Sequence, residues 1–479
     1  MSEYGKYEAV IGLEVHVELK TETKIFCSCS TAFGADVNTH VCPTCLGMPG
    51  ALPVLNKSAV RLACMAGMAF GSRINLVSWF DRKNYFYPDL PKGYQITQYE
   101  MPICAGGAVP VTADGQKREI RLTRMHLEED AGKLTHRGDV SLIDYNRCGV
   151  PLLEIVSEPD MHTPEEAKAY LTSLRRILSY IGVSDCRMNE GSLRCDVNVS
   201  VRPCGAETFG VKCEIKNLNS INYVGRALED EIARQISVLE NGGEIESETR
   251  RYNEDTGHTE RMRKKESVID YRYFTEPNIP PLVLRQEDLD AVKRQMPKMP
   301  DEAARELTEV YGVKTDDAYM LTESPELTKY FVQCAENTAY KAIAANLFVS
   351  EILPALNAEN TLEKNDEHIS PEHFGAVCTL FGEGKVVSSN AKKLLFLCAQ
   401  RKEEPAEIAE KERMLKITDE KILLPLVREA VENNPKAAAD YRGGKKTAVK
   451  QLLGVVMKAS AGSADPLLTE RLLEDELRR

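Results

Sequence analysis

The chain has 479 residues, and at roughly 150 residues per domain this length predicts about three structural units. Its formal net charge of -12 argues against indiscriminate binding to nucleic acid, so RNA contact would need local basic patches and DNA binding is not expected. No signal peptide and no apolar run of about 18 residues is found, which predicts a cytoplasmic protein without a membrane role, whose cysteines are thiols or metal ligands.

Residues 11–19 predict a β-strand, because apolar residues alternate there with Glu14, His16 and Glu18. Side chains two residues apart point to the same face of a strand, so these three polar groups share one face. Similar β-branched runs, separated by turns rich in Gly and Pro, continue to about Val283 and predict a strand-dominated domain with a few helices. The clearest runs lie at residues 10–11, 15–17, 155–156 and 197–201.

Four cysteines near the N-terminus form two closely spaced pairs, Cys27 with Cys29 and Cys42 with Cys45. Two such pairs separated by a short loop can supply the four thiolates of a tetrahedral Zn²⁺ site. His40 could replace one sulfur, and four ordinary buried thiols are the alternative interpretation. Four protein ligands leave the metal no open position, so the spacing predicts a structural zinc site rather than a catalytic one.

Three further segments concentrate charged side chains beyond what core packing requires: residues 80–89, 126–133 and 188–196. A solvated charged face could explain any one of them taken singly. Together with the polar face of the first strand, they predict a metal and phosphate site inside the strand-rich domain.

Two helices are marked within this domain. Thr163 can cap the first, Pro164 suits its first turn, Glu166 completes a capping box, and an apolar stripe continues to Ile181. The second is predicted at about residues 223–239, before a stop at an Asn-Gly-Gly sequence.

After Pro280 and Pro281 the composition shifts to Glu, Ala, Leu and Lys, and apolar residues recur at helical spacing. Residues 343–353 and 391–398 show the pattern best and predict a helical domain. The charged stretch at residues 400–411 is interpreted as a linker to a smaller helical unit.

Basic residues cluster in the C-terminal tail, with no acidic residue between them: Arg442, Lys445, Lys446 and Lys450. Two adjacent glycines within the cluster would let the backbone approach a phosphate closely. The cluster predicts an RNA-binding patch, and a solvated basic face is the alternative.

Six long motifs carry a resemblance to a known family; they lie at residues 11–19, 80–88, 127–133, 151–160, 190–196 and 214–220. The chain closely resembles the B subunit of the glutamyl/aspartyl-tRNA amidotransferases, and the resemblance covers essentially its whole length. The chain has no room for the synthetase-like insertion of the archaeal relatives, which favours the bacterial type. The resemblance implies an α+β fold, with a strand-rich cradle-shaped catalytic domain, a helical domain and a small all-helical tail domain.

The implied domain ranges are 1–293 for the catalytic domain, 294–406 for the helical domain and 407–479 for a tRNA-binding tail. The resemblance also implies a heterotrimer with an amidase-type glutaminase subunit and a small third subunit, acting on misacylated tRNA. The alternative hypothesis is a non-catalytic, zinc-containing scaffold subunit that binds tRNA.

The implied reaction amidates the side-chain carboxylate of Glu-tRNA(Gln), Asp-tRNA(Asn) or both. A carboxylate is a poor electrophile, so ATP must first convert it to an acyl phosphate, which ammonia then attacks. The sequence contains no Walker-type or dinucleotide-type glycine-rich loop, and no Gly/Ser-rich amidase segment. Ammonia is therefore expected from another polypeptide.

The resemblance places Mg²⁺ ligands at Glu14, His16 and Glu129, with Mn²⁺ as the alternative because histidine is an unusual Mg²⁺ ligand. Lys83 or Arg194 would stabilise the transferring phosphoryl group. The other candidate catalytic and cofactor-binding residues are Glu190, Asp196, Asp81, Glu128 and Ser192.

Overall fold

The structure is a computed structural model that describes residues 4–264, 270–359 and 368–478. It forms two compact units, Met1–Met299 and Pro300–Arg479. The first contains a large sheet and the second is helical, so the predicted α+β class is confirmed. Within the described ranges, no helix is both long and apolar enough to span a membrane. The three-domain division remains a prediction.

The first unit contains all the strands of the described residues. Their bounds are β1 (Tyr7–Glu18), β2 (Arg73–Ile74), β3 (Val77–Ser78), β4 (Asp81–Asn84), β5 (Tyr94–Thr97), β6 (Cys104–Ala105), β7 (Ala108–Ala113), β8 (Gln116–Glu129), β9 (Lys133–Arg137), β10 (Val140–Asp144), β11 (Pro151–Ser157), β12 (Leu193–Pro203), β13 (Cys213–Lys216), β14 (Glu248–Asn253), β15 (His258–Lys264), β16 (Phe274–Thr275) and β17 (Leu282–Val283). Its helices are α1 (Lys57–Ala69), α2 (Pro164–Tyr180), α3 (Ile221–Glu240) and α4 (Gln286–Gln295).

Ten strands of the main sheet follow one another in the order β15-β14-β13-β12-β1-β11-β8-β5-β4-β16. The expected cradle shape of this domain remains a prediction.

The register of the central strands aligns polar residues across the sheet. Strand β1 pairs with β11 and β12, which places His16 opposite Glu154 on one side and Arg194 on the other. Glu154 in turn lies opposite His126 of β8. Directly opposed residues point to the same face, so these four side chains form one row.

Both helices predicted in the catalytic region are confirmed. Helix α2 begins as its capping signals indicate, because the Glu166 backbone N–H donates to Thr163 Oγ1 at 3.1 Å. Ser220 caps α3 through the Tyr223 N–H, so that helix begins two residues before the predicted start. Their buried apolar stripes pack the helices in the core of the first unit.

The second unit has two apolar clusters in its described part, one formed by residues between Ala304 and Ala409 and one by residues between Leu423 and Leu477. A π-helical turn, Phe348–Ile352, joins two of its helices. The helices are α5 (Pro300–Tyr311), α6 (Thr315–Leu321), α7 (Pro325–Glu336), α8 (Lys341–Leu347), α9 (Leu353–Glu359), α10 (Pro371–Gly382), α11 (Ser388–Arg401), α12 (Pro405–Lys411), α13 (Glu420–Glu432), α14 (Pro435–Arg442), α15 (Ala448–Ala459) and α16 (Pro466–Arg478).

The interpretation of residues 400–411 as a linker is wrong. Helix α11 continues to Arg401, and α12 begins at Pro405, a residue suited to the first turn of a helix. Ile408 and Ala409 are completely buried in the first apolar cluster of the second unit. Their burial holds the charged stretch against the core of that unit.

Candidate active site and metal centre

The polar face of the sheet brings three potential metal ligands together: His16, Glu128 and Glu154. Nε2 of His16 lies 3.3 Å from Glu154 Oε2 and 3.6 Å from Glu128 Oε1. Nε2 of the neighbouring His126 lies 3.4 Å from Glu154 Oε2 and 3.7 Å from Glu128 Oε2. The ligand atoms of the first three residues lie within 4.8 Å of one another, so they can converge on one ion.

The electrostatics of this group favour a bound cation. Burial disfavours a charged His16, but Glu154 and Glu128 outweigh it and raise the pKa of His16 to about 9. Burial likewise opposes ionisation of Glu154, yet His126 and His16 hold the pKa of its carboxyl well below its usual range. One imidazole and two carboxylates suit Mg²⁺ or, because of the nitrogen ligand, Mn²⁺.

Glu14 and Asp196 lie beside this group on the same face, directly opposite each other. Glu14 Oε1 accepts a hydrogen bond from Asn198 Nδ2 at 2.9 Å. Asp196 pairs with the ammonium of Lys216, which also lies 3.0 Å from Glu214 Oε1. Burial opposes protonation of Lys216, but the two carboxylates raise its pKa above its ordinary value. The charge of Asp196 is therefore already neutralised, whereas the contact to Glu14 is a neutral amide that leaves its charge for a cation.

Arg194, predicted to stabilise phosphoryl transfer, is held by a carboxylate that the sequence analysis did not select. Its Nη2 donates to Asp130 Oδ2 at 2.8 Å, and Arg147 Nε lies 3.4 Å from the same oxygen. Burial raises the pKa of Glu18 to about 8, and Asp130 contributes to the increase. Arg194 is thus held on the polar face by Asp130, the residue that follows β8.

Lys83 contacts aromatic rings, and in the described part of the chain no carboxylate forms an ion pair with its ammonium. Its Nζ lies 5.0 Å from the ring centre of Tyr271 and 5.9 Å from that of Tyr85, both within cation–π range. Its charge also helps to lower the pKa of Glu154, together with the stronger effects of the two histidines and against the effect of burial. Lys83 therefore lies close enough to the group for its charge to act on Glu154.

Three other predicted residues serve local structure. Glu190 pairs with Arg187 at 2.9 Å, and Ser192 Oγ accepts the Arg187 backbone N–H at 2.8 Å. Asp81 is buried, and its Oδ2 accepts the Tyr99 backbone N–H at 3.0 Å. These contacts fix turns next to the sheet, and the structure does not bring the three residues into the group around His16.

The placement of Glu129 requires a correction to the predicted ligand set. Glu128 and Glu129 are neighbours on β8, so their side chains point to opposite faces. Glu129 faces away from His16: its carboxylate pairs with the ammonium of Lys92 and accepts the Ile96 backbone N–H at 2.8 Å. Of the two residues, Glu128 is the one that lies beside His16.

The four predicted zinc ligands do converge. The sulfurs of Cys27, Cys29, Cys42 and Cys45 lie within 4.8 Å of one another, and the group does not include His40. A hydrogen bond from Cys27 lowers the pKa of Cys45 to about 4, against the effect of burial. Four sulfurs at this separation fit the tetrahedral thiolate site that Zn²⁺ prefers.

Comparison with known proteins identifies the family to which the chain belongs. A sequence model described as the GatB/GatE catalytic domain matches residues 9–290, and one described as the GatB domain matches residues 329–477. The chain belongs to the GatB family. The B subunit of the aspartyl/glutamyl-tRNA(Asn/Gln) amidotransferase of Carboxydothermus hydrogenoformans is 48% identical over 477 residues, covering 98% of this chain and 99% of the relative. Those of Thermoanaerobacter pseudethanolicus, at 49% with 98% and 99% coverage, and Moorella thermoacetica, at 47% with 98% and 100%, are similar.

Membership of the GatB family confirms the predicted resemblance. It favours an amidotransferase component over the scaffold hypothesis, because the family model for residues 9–290 is that of a catalytic domain.

The basic tail residues lie inside the second region matched by the GatB family. Lys446 and Lys450 are exposed, as an RNA-binding role requires. Arg442 donates from Nε to the Leu477 carbonyl at 3.1 Å, and Lys445 Nζ lies 3.6 Å from Asp440 Oδ2. Arg442 and Lys445 are therefore partly engaged within the tail itself.

The sequence analysis missed Glu154 and His126 as members of the site. Glu154 lies in the 151–160 motif that carried the GatB resemblance, as the one acidic residue within the apolar strand β11. An ionisable residue in the middle of an apolar strand could have indicated a site, because charged side chains are rarely buried without partners.

Proposed function

We propose that this chain activates the side-chain carboxylate of Glu-tRNA(Gln), Asp-tRNA(Asn) or both with ATP, and converts it to the amide. The group formed by His16, Glu128 and Glu154 is the activation site, with Glu14 beside it. Ammonia comes from an amidase-type glutaminase subunit, in a heterotrimer completed by a small third subunit. The relatives' name, the B subunit of an aspartyl/glutamyl-tRNA(Asn/Gln) amidotransferase, supports the substrates and the multisubunit assembly.

The observation that carries the proposal is the convergence of one imidazole and two carboxylates on the sheet face of a GatB family member. Ionised carboxylates packed this closely repel one another unless a cation neutralises them. Phosphoryl transfer needs the same cation, because charge develops on the transferring group. The residues thus fit Mg²⁺ or Mn²⁺, which would neutralise ATP phosphate charge when bound.

The reaction has two balanced steps. An oxygen of the substrate carboxylate attacks the γ-phosphorus of ATP, ADP leaves, and an acyl phosphate forms. Ammonia then attacks the acyl carbon, loses a proton, and phosphate departs to leave the amide. The first step concentrates negative charge, so the ammonium of Lys83 stabilises the phosphoryl group while Arg194 supports the polar face around it.

The cysteine group is proposed to bind Zn²⁺ in a structural role. Four sulfur ligands complete the coordination of Zn²⁺ and leave no position for a substrate. The metal would also hold together residues 27–45, which contain little regular secondary structure. Reduced thiolates are required for this binding, which agrees with a cytoplasmic location.

The tail is proposed to bind tRNA through Lys446 and Lys450, with Arg442 and Lys445 contributing to the local positive charge. Exposed lysines contact phosphates without reading sequence, so they could bind either tRNA. We propose no DNA or membrane partner.

The test uses the chain purified with its partner subunits, ATP and misacylated tRNA. We expect ATP hydrolysis that depends on the misacylated tRNA, and amide formation with either glutamine or an excess of ammonium chloride. Formation of amide from ammonium without ATP consumption would contradict activation by phosphoryl transfer. Activity on free glutamate or aspartate would contradict tRNA dependence.

A further inference from the structure

Lys24 is a completely buried lysine immediately before the cysteine group. Its ammonium donates to the His40 carbonyl at 2.6 Å, to the Tyr145 carbonyl at 3.3 Å and to Cys45 Sγ at 3.7 Å. Among the described residues, no carboxylate oxygen lies within 4.0 Å of this nitrogen. Lys92, a nearby lysine that is only slightly exposed, differs because it pairs directly with Glu129.

A buried ammonium needs a compensating negative charge as well as hydrogen bonds. The two carbonyls are neutral acceptors and supply none. Cys45 Sγ is the remaining contact, and a thiolate there would balance the charge. Conversely, four thiolates around one divalent cation carry a net negative charge that a neighbouring ammonium reduces.

We propose that Lys24 belongs to the metal site formed by Cys27, Cys29, Cys42 and Cys45, as a positively charged partner of the Cys45 thiolate that strengthens metal binding. The inference rests on the zinc site of the proposed function. Hydrogen-bonded partners outside the ligand shell commonly change metal affinity by 10- to 100-fold.

The backbone fixes Lys24 in this position. Its N–H donates to the Cys29 carbonyl at 2.9 Å, and its carbonyl accepts from Asn56 Nδ2 at 3.3 Å. The ammonium also ties the cysteine segment to the chain at Tyr145, next to Asn146, whose Oδ1 accepts the His40 backbone N–H at 2.8 Å. Lys24 therefore connects the metal site to the segment that leads into β11.

The test compares zinc affinity in the full chain and in Lys24→Met, which keeps the length of the side chain but removes its charge. Lys20→Met is the matched control, because Lys20 is exposed four residues earlier. Zinc transfer to a chromophoric chelator is measured at equilibrium, together with the thermal unfolding midpoint. We expect Lys24→Met to bind zinc about 10- to 100-fold more weakly and Lys20→Met to match the wild type.

A second variant covers the case in which Lys24→Met does not fold. Lys24→Arg keeps the charge but moves the donors, so in the cobalt-substituted chain the thiolate-to-cobalt absorption band should shift while the tetrahedral d–d bands persist. A folded Lys24→Met with wild-type zinc affinity, or an unshifted band in Lys24→Arg, would overturn the role of Lys24 alone. A wild-type chain that binds no zinc would overturn the metal site and Lys24 together.

Discussion

The two faces of strand β8 hold similar residues in opposite electrostatic situations. On one face Glu128 meets Glu154 and two histidines, and a metal ion can replace the proton that keeps His16 charged. On the other face Glu129 is already neutralised by Lys92. The comparison shows that an acidic residue signals a metal site where its charged neighbour is a histidine, which can exchange its proton for a metal ion, and not where that neighbour is a lysine. The predictions below test that difference.

The largest effect is expected on the face that bears Glu154. Glu154→Gln keeps the shape of the side chain but removes a ligand charge, so tRNA-dependent ATP hydrolysis should fall on the order of 100-fold or more. ATP hydrolysis is measured in the assembled complex with saturating misacylated tRNA. Added ammonium should not restore amide formation, because the defect precedes ammonia attack; restoration would remove Glu154 from the activation site.

Glu129→Gln should instead act mainly on stability. It leaves the buried ammonium of Lys92 without its charged partner, and breaking such a pair costs about 3–5 kcal/mol. Urea denaturation measures this loss, and Lys92→Met combined with Glu129→Gln should recover part of it. Manganese titration provides the contrast: a loss of metal binding as large as that of Glu154→Gln would erase the distinction between the two faces.

The pH dependence of metal binding tests the role of His16 on the face of β8 that bears Glu128. His16 has a pKa of about 9 in the metal-free fold, above its unfolded value of 6.5, so its ion pairs stabilise that fold below about pH 6.5 and are lost as pH rises through 9. A metal ion must displace the same proton. Manganese affinity should therefore rise by about tenfold per pH unit between pH 7 and 9 and then level off.

Titration of metal-stripped protein with manganese at different pH values measures how metal affinity changes with pH. The group around His16 also lies near Glu18, whose burial and neighbour Asp130 raise its pKa to about 8, so both residues need a control. His16→Gln should bind manganese more weakly and remove most of the slope, whereas Glu18→Gln should preserve it. A slope unchanged in His16→Gln would exclude His16 as the titrating ligand.

The smallest effect is expected in the tail, where charges are exposed rather than buried. Lys446→Ala should weaken tRNA binding only several-fold and lower the slope of log affinity against log salt by about one, because it removes a single phosphate contact. Filter binding over a range of salt concentrations measures both. Glu470→Ala, a change of an acidic tail residue, serves as the control, and an equal effect of opposite sign in this variant would mean that the tail acts through overall charge.

Much of the local structure was predictable from short-range patterns. Alternation along residues 11–19 placed Glu14 and His16 on one face, and the cap at Thr163 located the start of α2 within one residue. The spacing of Cys27, Cys29, Cys42 and Cys45 was sufficient for the zinc hypothesis, because each pair is close in sequence and needs only a turn to converge. Such features depend on neighbours within a few residues.

The sequence by itself thus determined the α+β class, the polar strand face and the cysteine group. Only the tertiary structure decided that Glu154 and His126 join His16, because antiparallel register aligns strands that lie far apart in the chain. It also decided between Glu128 and Glu129, which differ by one position. Successive residues of a strand point to opposite faces, so the choice between them depends on how β8 pairs with β11 and on which face the rest of the site occupies.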